Sequence, residues 1–375
     1  MPAKPLPPHS EAKIRLLKAY LEAYLNVIGH DQHTDRVFLA DLFCGPGMYQ
    51  GGKPGSPVEI GRMLAGLHKR HLSSPKTEFL FNDVDAANVS NVEGYLRPLE
   101  AAHSKIKLIA SSKNAAGLIP ELLSEQENKG LRSKRFYFVD PFGYSQIRVS
   151  EILSLLHVDG TELLLFQPCS FMFRFSEKGT PESLSGFMEE LSRGKPWPQG
   201  LNIMGYIQYT KRLLRERLEG THYVDSFTIQ KDAQTVFCLF FFTKHIRGFE
   251  KMLETKWRFN GETGQGWHYS AGTGVGDLFD KPTPQTQILE RALEVLMMDG
   301  KSGTNADIYR ETLEQGFLPK HSNEILTAWQ KAGRIRVEPA PPRSGVFYLG
   351  YDEHVKKGRI VRISKVSMSH GHKLH

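Results

Sequence analysis

Short apolar runs alternate with amphipathic segments through the first 170 residues, and this alternation constrains the fold more than any other feature of the chain. VFLADLF (37–43), EFLFNDVD (78–85), IKLIAS (106–111), RFYFVD (135–140) and TELLLFQP (161–168) read as strands. The segments between them, SPVEIGRMLAGLHKRH (56–71), AANVSNVEGYLRPLEAA, NAAGLIPELLSEQEN and QIRVSEILSLLHV, read as helices, the third broken near Pro120. Nearly continuous apolar strands separated by helices predict a mostly parallel sheet covered on both faces. Ahead of them, EAKIRLLKAYLEAYLNVIG (11–29) carries apolar residues at helical spacing and stops at Gly29. After them, THYVDSFTIQ and TVFCLFFFTK are joined by a few polar residues, too few for a crossover, so they predict an antiparallel pair.

A chain of 375 residues exceeds one core of ordinary size, and its later pattern changes accordingly. The α/β domain is expected over 1–260, with a helical insertion at about 176–220. A glycine-rich linker follows at 261–284, where Trp267 and His268 either close over a substrate or anchor the linker. Over 285–352, three helical segments precede RIRVEP, a turn and VFYLGY, the order of a winged helix-turn-helix. The second helix opens with a Thr304–Asp307 pair of capping-box type. The end, 353–375, is a basic tail. Lys356, Lys357, Arg359, Arg362, Lys365 and Lys373 contribute six positive charges to a formal total of +7, with no acid in 356–375. Such a patch fits a polyanion, or a solvated tail.

Composition excludes some classes. No apolar run is long enough to span a bilayer, and the start of the chain lacks a secretory h-region. Cys44, Cys169 and Cys238 are too scattered for a disulfide framework or a zinc site, which fits a reducing cytoplasm. His30, Asp31 and His33 read as loop residues, and no metal site is expected.

Chemistry concentrates where the strand-like runs end. ADLFCGPGMYQGGKPGSP (40–57) spaces its glycines one residue too widely for the dinucleotide fingerprint. It also puts Pro54, without hydroxyl or N–H, where a P-loop needs Ser or Thr. The pattern D-x-F-x-G-x-G fits S-adenosylmethionine better, with Asp41 for its ammonium and Phe43, Gly45, Pro46 and Gly47 shaping a loop that lets backbone approach the ligand. Asp83, ending FNDVD, is placed for ribose hydroxyls, and Ser112, after the third strand, for adenine. The fourth strand runs into Asp140-Pro141-Phe142-Gly143. A carboxylate and the Pro141 carbonyl could each accept one N–H of an exocyclic amine and draw its lone pair out of conjugation. Phe142 offers a face for an extruded base. Asp140, Pro141 and Phe142 are therefore the candidate catalytic residues, with Asp140 also lining the cofactor site. The competing reading, less favoured, is that these residues only make ordinary strand-end turns.

The strand layout is that of class I methyltransferases, a Rossmann-like α/β fold, here with a C-terminal winged helix. The leading KIRLLKAYL helix, DLFCGPGMY, GGKPGSP, FNDVD, FYFVDPFG and Arg174 together resemble the three-Cys-motif partner protein family over nearly the whole chain. That resemblance implies a methyltransferase-like fold and a radical-SAM-like partner protein with three clustered cysteines. DPFG and Asn82-Asp83 are similar to motifs of tRNA guanine-N2 dimethyltransferases. More distantly, DPFG resembles the D-P-P-Y motif of adenine-N6 enzymes, with Phe142 in place of the second proline. The expectation is a methyltransferase acting on nucleic acid, RNA (tRNA included) before DNA. A non-catalytic assembly module for the three-cysteine partner and a methyltransferase of small molecules or peptides are the alternatives. Lys320, Ser322 and Asn323 on the presumed recognition helix, Arg343 on the wing, and Lys356, Lys357 and Arg359 are the candidate nucleic-acid contacts.

Overall fold

A computed structural model describes residues 4–70, 75–127, 132–175, 182–232, 234–261, 263–264, 266–268, 284–297 and 302–366. They form two compact units that divide near Phe259, the strand at Gly266–His268 belonging to the first.

In the first unit, helix α1 (Pro8–Gly29) precedes β1 (Arg36–Asp41), α2 (Ser56–Arg70), β2 (Lys76–Asn82), α3 (Ala86–Ala102), β3 (Ile106–Ser111), α4 (Ala115–Glu127), β4 (Ser133–Val139), α5 (Val149–His157) and β5 (Thr161–Gln167). Helices α6 (Cys169–Phe175), α7 (Glu182–Ser192) and α8 (Ile203–Arg217) lead to β6 (Tyr223–Gln230), β7 (Val236–Thr243), α9 (Ile246–Phe259) and β8 (Gly266–His268). Among the described residues, eight strands form one sheet in the order β3-β2-β1-β4-β5-β7-β6-β8. The first five are parallel, and β7 runs antiparallel between β5 and β6. This is the class I methyltransferase arrangement, a Rossmann-like α/β sheet.

Both faces of the sheet are covered, which is why its strands are apolar along their length. Val37, Leu39, Phe136, Phe138, Leu164 and Phe241 face a core shared with α1, α2, α3 and α9. Their neighbours Phe38, Ala40, Tyr137, Val139, Leu163 and Phe242 face a second core under α4 to α8. Alternation thus survives in direction, although not in polarity. At the start of β5 the buried carboxyl of Glu162 accepts hydrogen bonds from the Tyr20 hydroxyl and, at 2.8 Å, from Thr243 Oγ1. Burial pushes it up to about 7.

Three expectations are corrected. Helix α4 continues through Pro120, its sixth residue; Pro120 and Ala116, whose carbonyl the missing N–H would have met, both lie on the exposed face, where water can take that bond. Within the expected linker, Gly266-Trp267-His268 add a parallel strand to β6, and Gly266 lies so close to Thr228 that a Cβ would stand 2.0 Å from its Oγ1. Residues 269–283 of that linker lie outside the described residues. The third correction concerns the wing.

The second unit contains α10 (Gln287–Leu296), β9 (Ser302–Thr304), α11 (Asn305–Glu314), α12 (Pro319–Lys331), β10 (Ile335–Glu338) and β11 (Arg362–Lys365). Strand β11 pairs antiparallel with both β10 and β9, completing a winged helix-turn-helix. The Thr304–Asp307 capping box forms: Asp307 Oδ2 accepts the Thr304 N–H at 2.9 Å, and Thr304 Oγ1 accepts the Asp307 N–H at 3.2 Å. The return strand of the wing is Arg362–Lys365, not 346–351. Phe347 and Leu349 are buried, and the Tyr348 carbonyl accepts from Asn305 Nδ2 at 2.9 Å, so this stretch packs on α11 and leaves the pairing to later residues.

A buried ion pair ties α9 to β6. Lys256 donates to Asp225, both nearly inaccessible, and Lys211 lies 3.4 Å from the same carboxylate. Removing the closer cation strands a buried charge. Lys256→Met is expected to destabilise the protein by about 3 kcal/mol in denaturant unfolding, and Lys211→Met, at a more exposed position, by clearly less.

Candidate active site

Strand order reverses between β1 and β4, where ligands of open α/β sheets bind beyond the carboxyl ends of the strands. Asp41 ends β1, beside Phe138 of β4. The chain then turns through Gly45 (φ +59°) and Gly47 (φ +76°). Gly47 is needed twice over, since besides its positive φ a Cβ there would stand 2.7 Å from Val92 of α3. The GGKPG stretch closes a tight loop, with the Tyr49 N–H donating to the Lys53 carbonyl at 2.8 Å and the Gly55 N–H to the Gly47 carbonyl at 2.7 Å.

Two residues at the end of β2 lock these turns together. Asn82 Nδ2 donates to the carbonyls of Leu42 (3.0 Å) and Lys113 (2.9 Å), and its Oδ1 accepts the Lys113 N–H (3.0 Å). Asp83 accepts the Gly45 N–H at 3.0 Å on Oδ2 and the Asp85 N–H at 2.9 Å on Oδ1. Each oxygen retains one acceptor site. Val84, the next residue, is 59% exposed.

Asp41 is the anomaly. It is 0% exposed; Oδ1 accepts a long bond from the Phe43 N–H (3.4 Å), Ser56 hydrogen-bonds the carboxyl, and Oδ2 has no partner among the described residues. Burial, with Asp140 nearby adding repulsion, pushes the carboxyl up to about 7. Tyr49 lies among the same carboxylates. Burial raises its phenol, and Asp140, Asp41 and Asp83 raise it further.

Asp140 follows β4 and pairs with Lys13 of α1, whose side chain is 9% exposed. The Lys13 ammonium also lies 4.4 Å from the centroid of the Phe166 ring. Pro141 is buried, whereas Phe142 is 78% exposed. The turn is held by Gln146, whose Oε1 accepts the N–H groups of Phe142 (2.6 Å) and Gly143 (3.3 Å). At the end of β5, the neighbouring strand, the Gln167 carboxamide is 2% exposed and neither its oxygen nor its nitrogen has a partner among the described residues. Lys13, Tyr49 and Gln167 were not among the sequence candidates. Lys13 looked like one polar residue of an amphipathic helix, and only a helix crossing the strand ends makes it part of a site.

The remaining candidates separate. Asp41, Gly45, Gly47, Asp83 and Asp140 are gathered at the carboxyl ends of β1, β2 and β4. Phe43 turns its ring into the core beneath α4 and offers the site only its backbone. Pro46 is half-buried in the loop, and Ser112 is exposed beyond β3. In the winged helix, Lys320 and Arg343 are exposed and Asn323 is half-buried. Ser322 is 0% exposed and bonds Thr312 Oγ1 at 2.5 Å, so it belongs to the packing between α11 and α12 and not to an outer face. Lys356 pairs with Asp352 (3.0 Å), and Lys357 (2.6 Å) and Arg359 (2.8 Å) with Glu353, so acids just upstream offset this basic stretch. Residues 367–375 lie outside the described residues. His30, Asp31 and His33 stay in their loop, with Asp31 accepting the His33 N–H at 2.9 Å. Among the described residues, no helix is long and apolar enough to cross a membrane.

A family model described as the GMT-like wHTH domain matches residues 269–342. No curated protein matches the chain. Among solved structures, it is similar to the METTL16 MTase domain, with 14% identity, 62% of this chain and 68% of that one covered, and a TM-score of 0.31. It is similar to a human methyltransferase 10 domain containing protein at 15% identity, with coverage of 62% and 82% and a TM-score of 0.31. It is also similar to Trm1 from Pyrococcus horikoshii, solved in complex with S-adenosyl-L-methionine, at 12% identity, with coverage of 84% and 75% and a TM-score of 0.34.

The Asp41 carboxyl makes a signed prediction. Its folded value lies above its unfolded one, so the folded state loses stability as pH rises from about 4 to about 7 and no more above that. Asp41→Asn removes this loss. The variant is expected to melt higher than the wild type at pH 8, by no more than about 4 kcal/mol of stability, and to match it near pH 4. Thermal unfolding across that range checks the sign.

Proposed function

We propose that this chain is an S-adenosylmethionine-dependent methyltransferase that acts on an exocyclic base amine of nucleic acid, RNA before DNA. The observation that carries the reading is the buried, half-satisfied carboxylate of Asp41 under a glycine loop at the strand-order switch. A buried carboxyl with one oxygen unpartnered among the described residues suits a cationic ligand, and an amino-acid ammonium supplies both the charge that favours the ionised form and the missing N–H donor. Asp83, already held by two backbone donors, keeps one acceptor site on each oxygen for ribose hydroxyls. Val84, exposed beside it, offers an apolar face to a purine.

When bound, the cofactor would supply a methyl group on a sulfonium, already activated for transfer. The protein's task is then to orient the acceptor and to manage one proton. Asp140 accepts an N–H of the incoming amine and takes its proton as the new N–C bond forms. The Pro141 carbonyl accepts the second N–H, and the buried ring of Pro141 keeps that carbonyl fixed. Phe142, with most of its surface in water, is free to cover an extruded base. The amine must share Asp140 with Lys13 or replace it. The preference for RNA rests on the DPFG motif, and the acidic partners of Lys356, Lys357 and Arg359 give the winged helix only a modest share in holding the strand.

The resemblance to three-Cys-motif partner proteins supports a second use of the same fold, as an assembly module. The Lys13–Asp140 pair favours weighing it, because the proposed catalytic carboxylate already has a cation on it.

Calorimetric titration with S-adenosylhomocysteine should give micromolar binding. Labelled-methyl transfer to tRNA, ribosomal RNA or DNA should follow, and Asp140→Asn should lower it by about 10²–10⁴ with far less effect on cofactor affinity. Folded, ligand-free protein that binds neither cofactor nor nucleic acid would leave the assembly role as the better reading.

A further inference from the structure

The start of the chain lies across the candidate site as a strap. The Gln50 N–H of the glycine loop donates to the Lys4 carbonyl at 2.9 Å, and Lys53 of the same loop pairs with Glu11 at 2.7 Å. At the other end, Lys13 holds Asp140. Between these ties, the His9 imidazole lies flat on Phe237 of β7, with ring centroids 4.8 Å apart and planes 14° apart. Phe237 lies flat in turn on Phe166, at 5.0 Å and 22°. Phe166 stands level with Asp140, one position beyond the Val139–Leu165 pair.

His9 is an odd residue to find there. Its Nδ1 is buried with no partner among the described residues. Burial, assisted by the cations Lys13 and Lys231, pushes the imidazole down to about 4, so the ring is neutral at physiological pH. A flat, neutral heteroaromatic ring with an unsatisfied ring nitrogen is therefore stacked one aromatic layer from Phe166, the ring over which the cation bound to Asp140 sits. A nucleobase has the same shape, the same stacking face and the same need for a partner at its edge nitrogens. Among the described residues no ring is stacked on Phe142, and its exposure suits a cover more than a seat.

We propose that the face of Phe237 now covered by His9 is the stacking seat of the target base, and that the strap Lys4–Lys13 is a lid that vacates it. This rests on the methyltransferase reading above and adds to it a binding residue, Phe237, and a gate. His9 and Lys13 leave together, because they are one helical turn apart on α1: the base takes the place of the imidazole, and its amine takes the place of the ammonium on Asp140. The strap keeps the apolar stack out of water until a strand arrives.

The test is a fluorescence titration of the full-length protein, saturated with S-adenosylhomocysteine, with a single-stranded RNA oligonucleotide containing one 2-aminopurine. His9→Ala removes the competing ring and is expected to tighten binding and deepen quenching, by about five- to tenfold in affinity. Phe237→Leu keeps apolar volume but removes the stacking face, and is expected to weaken binding about tenfold in both the wild-type and His9→Ala backgrounds. Melting temperatures and S-adenosylhomocysteine affinity, measured on every variant, separate a lost seat from a lost fold. Affinity indifferent to both substitutions, or absence of oligonucleotide binding by His9→Ala, overturns the seat. Failure of the wild type to bind S-adenosylhomocysteine overturns the methyltransferase reading instead.

Discussion

A carboxylate buried without a full set of partners costs free energy, and much of the architecture at the switch point serves to keep Asp41 where it is. The cost is borne by the stability of two large apolar cores on either side of the sheet. Position is secured by polar bonds that run between loops and not within them. Asn82 ties the turns after β1 and β3 to each other, and Asp83 ties the glycine loop to the start of α3. Gly47 then lets that loop sit directly on Val92. A single mobile loop could not hold an anion at this depth, but three loops locked to one another can.

Much of this was legible in the sequence. Apolar strands separated by helices specified the parallel sheet, and a short polar connection specified the β6–β7 pair. The clustering of Asp41, Asp83 and Asp140 was legible because the carboxyl ends of parallel strands lie on one side of such a sheet, so position along the chain translates into position in space. What local pattern could not reveal were contacts between distant segments. Lys13 meets Asp140 across 127 residues of chain. Phe43 and Ser322 have the right residue types in the right motifs, yet whether a side chain turns inward depends on the neighbouring element: α4 in one case, α11 in the other. Gly266–His268 was hidden by the glycines around it, because a three-residue strand pairing through its backbone has no periodicity to read.

The winged helix gives the same lesson for charge. A run of cations without an intervening acid looked like a strongly positive end. The fold brings Asp352 and Glu353 back onto Lys356, Lys357 and Arg359, and the segment's middle becomes the third strand of the wing's sheet. Surface ion pairs of this kind contribute little stability, typically below about 1 kcal/mol each, but they lower the field that a distant polyanion would sense.

Asp41 also couples ligand loading to acidity. Burial lifts this carboxyl to about 7, so protonated and ionised forms compete near neutral pH. A cation arriving against it would draw the value back toward that of an ordinary carboxylate, and the protonated fraction would release its proton to solvent. Filling the crevice is then an exchange of one positive charge for part of another, and the apparent affinity of the site carries a term set by the acidity of its surroundings.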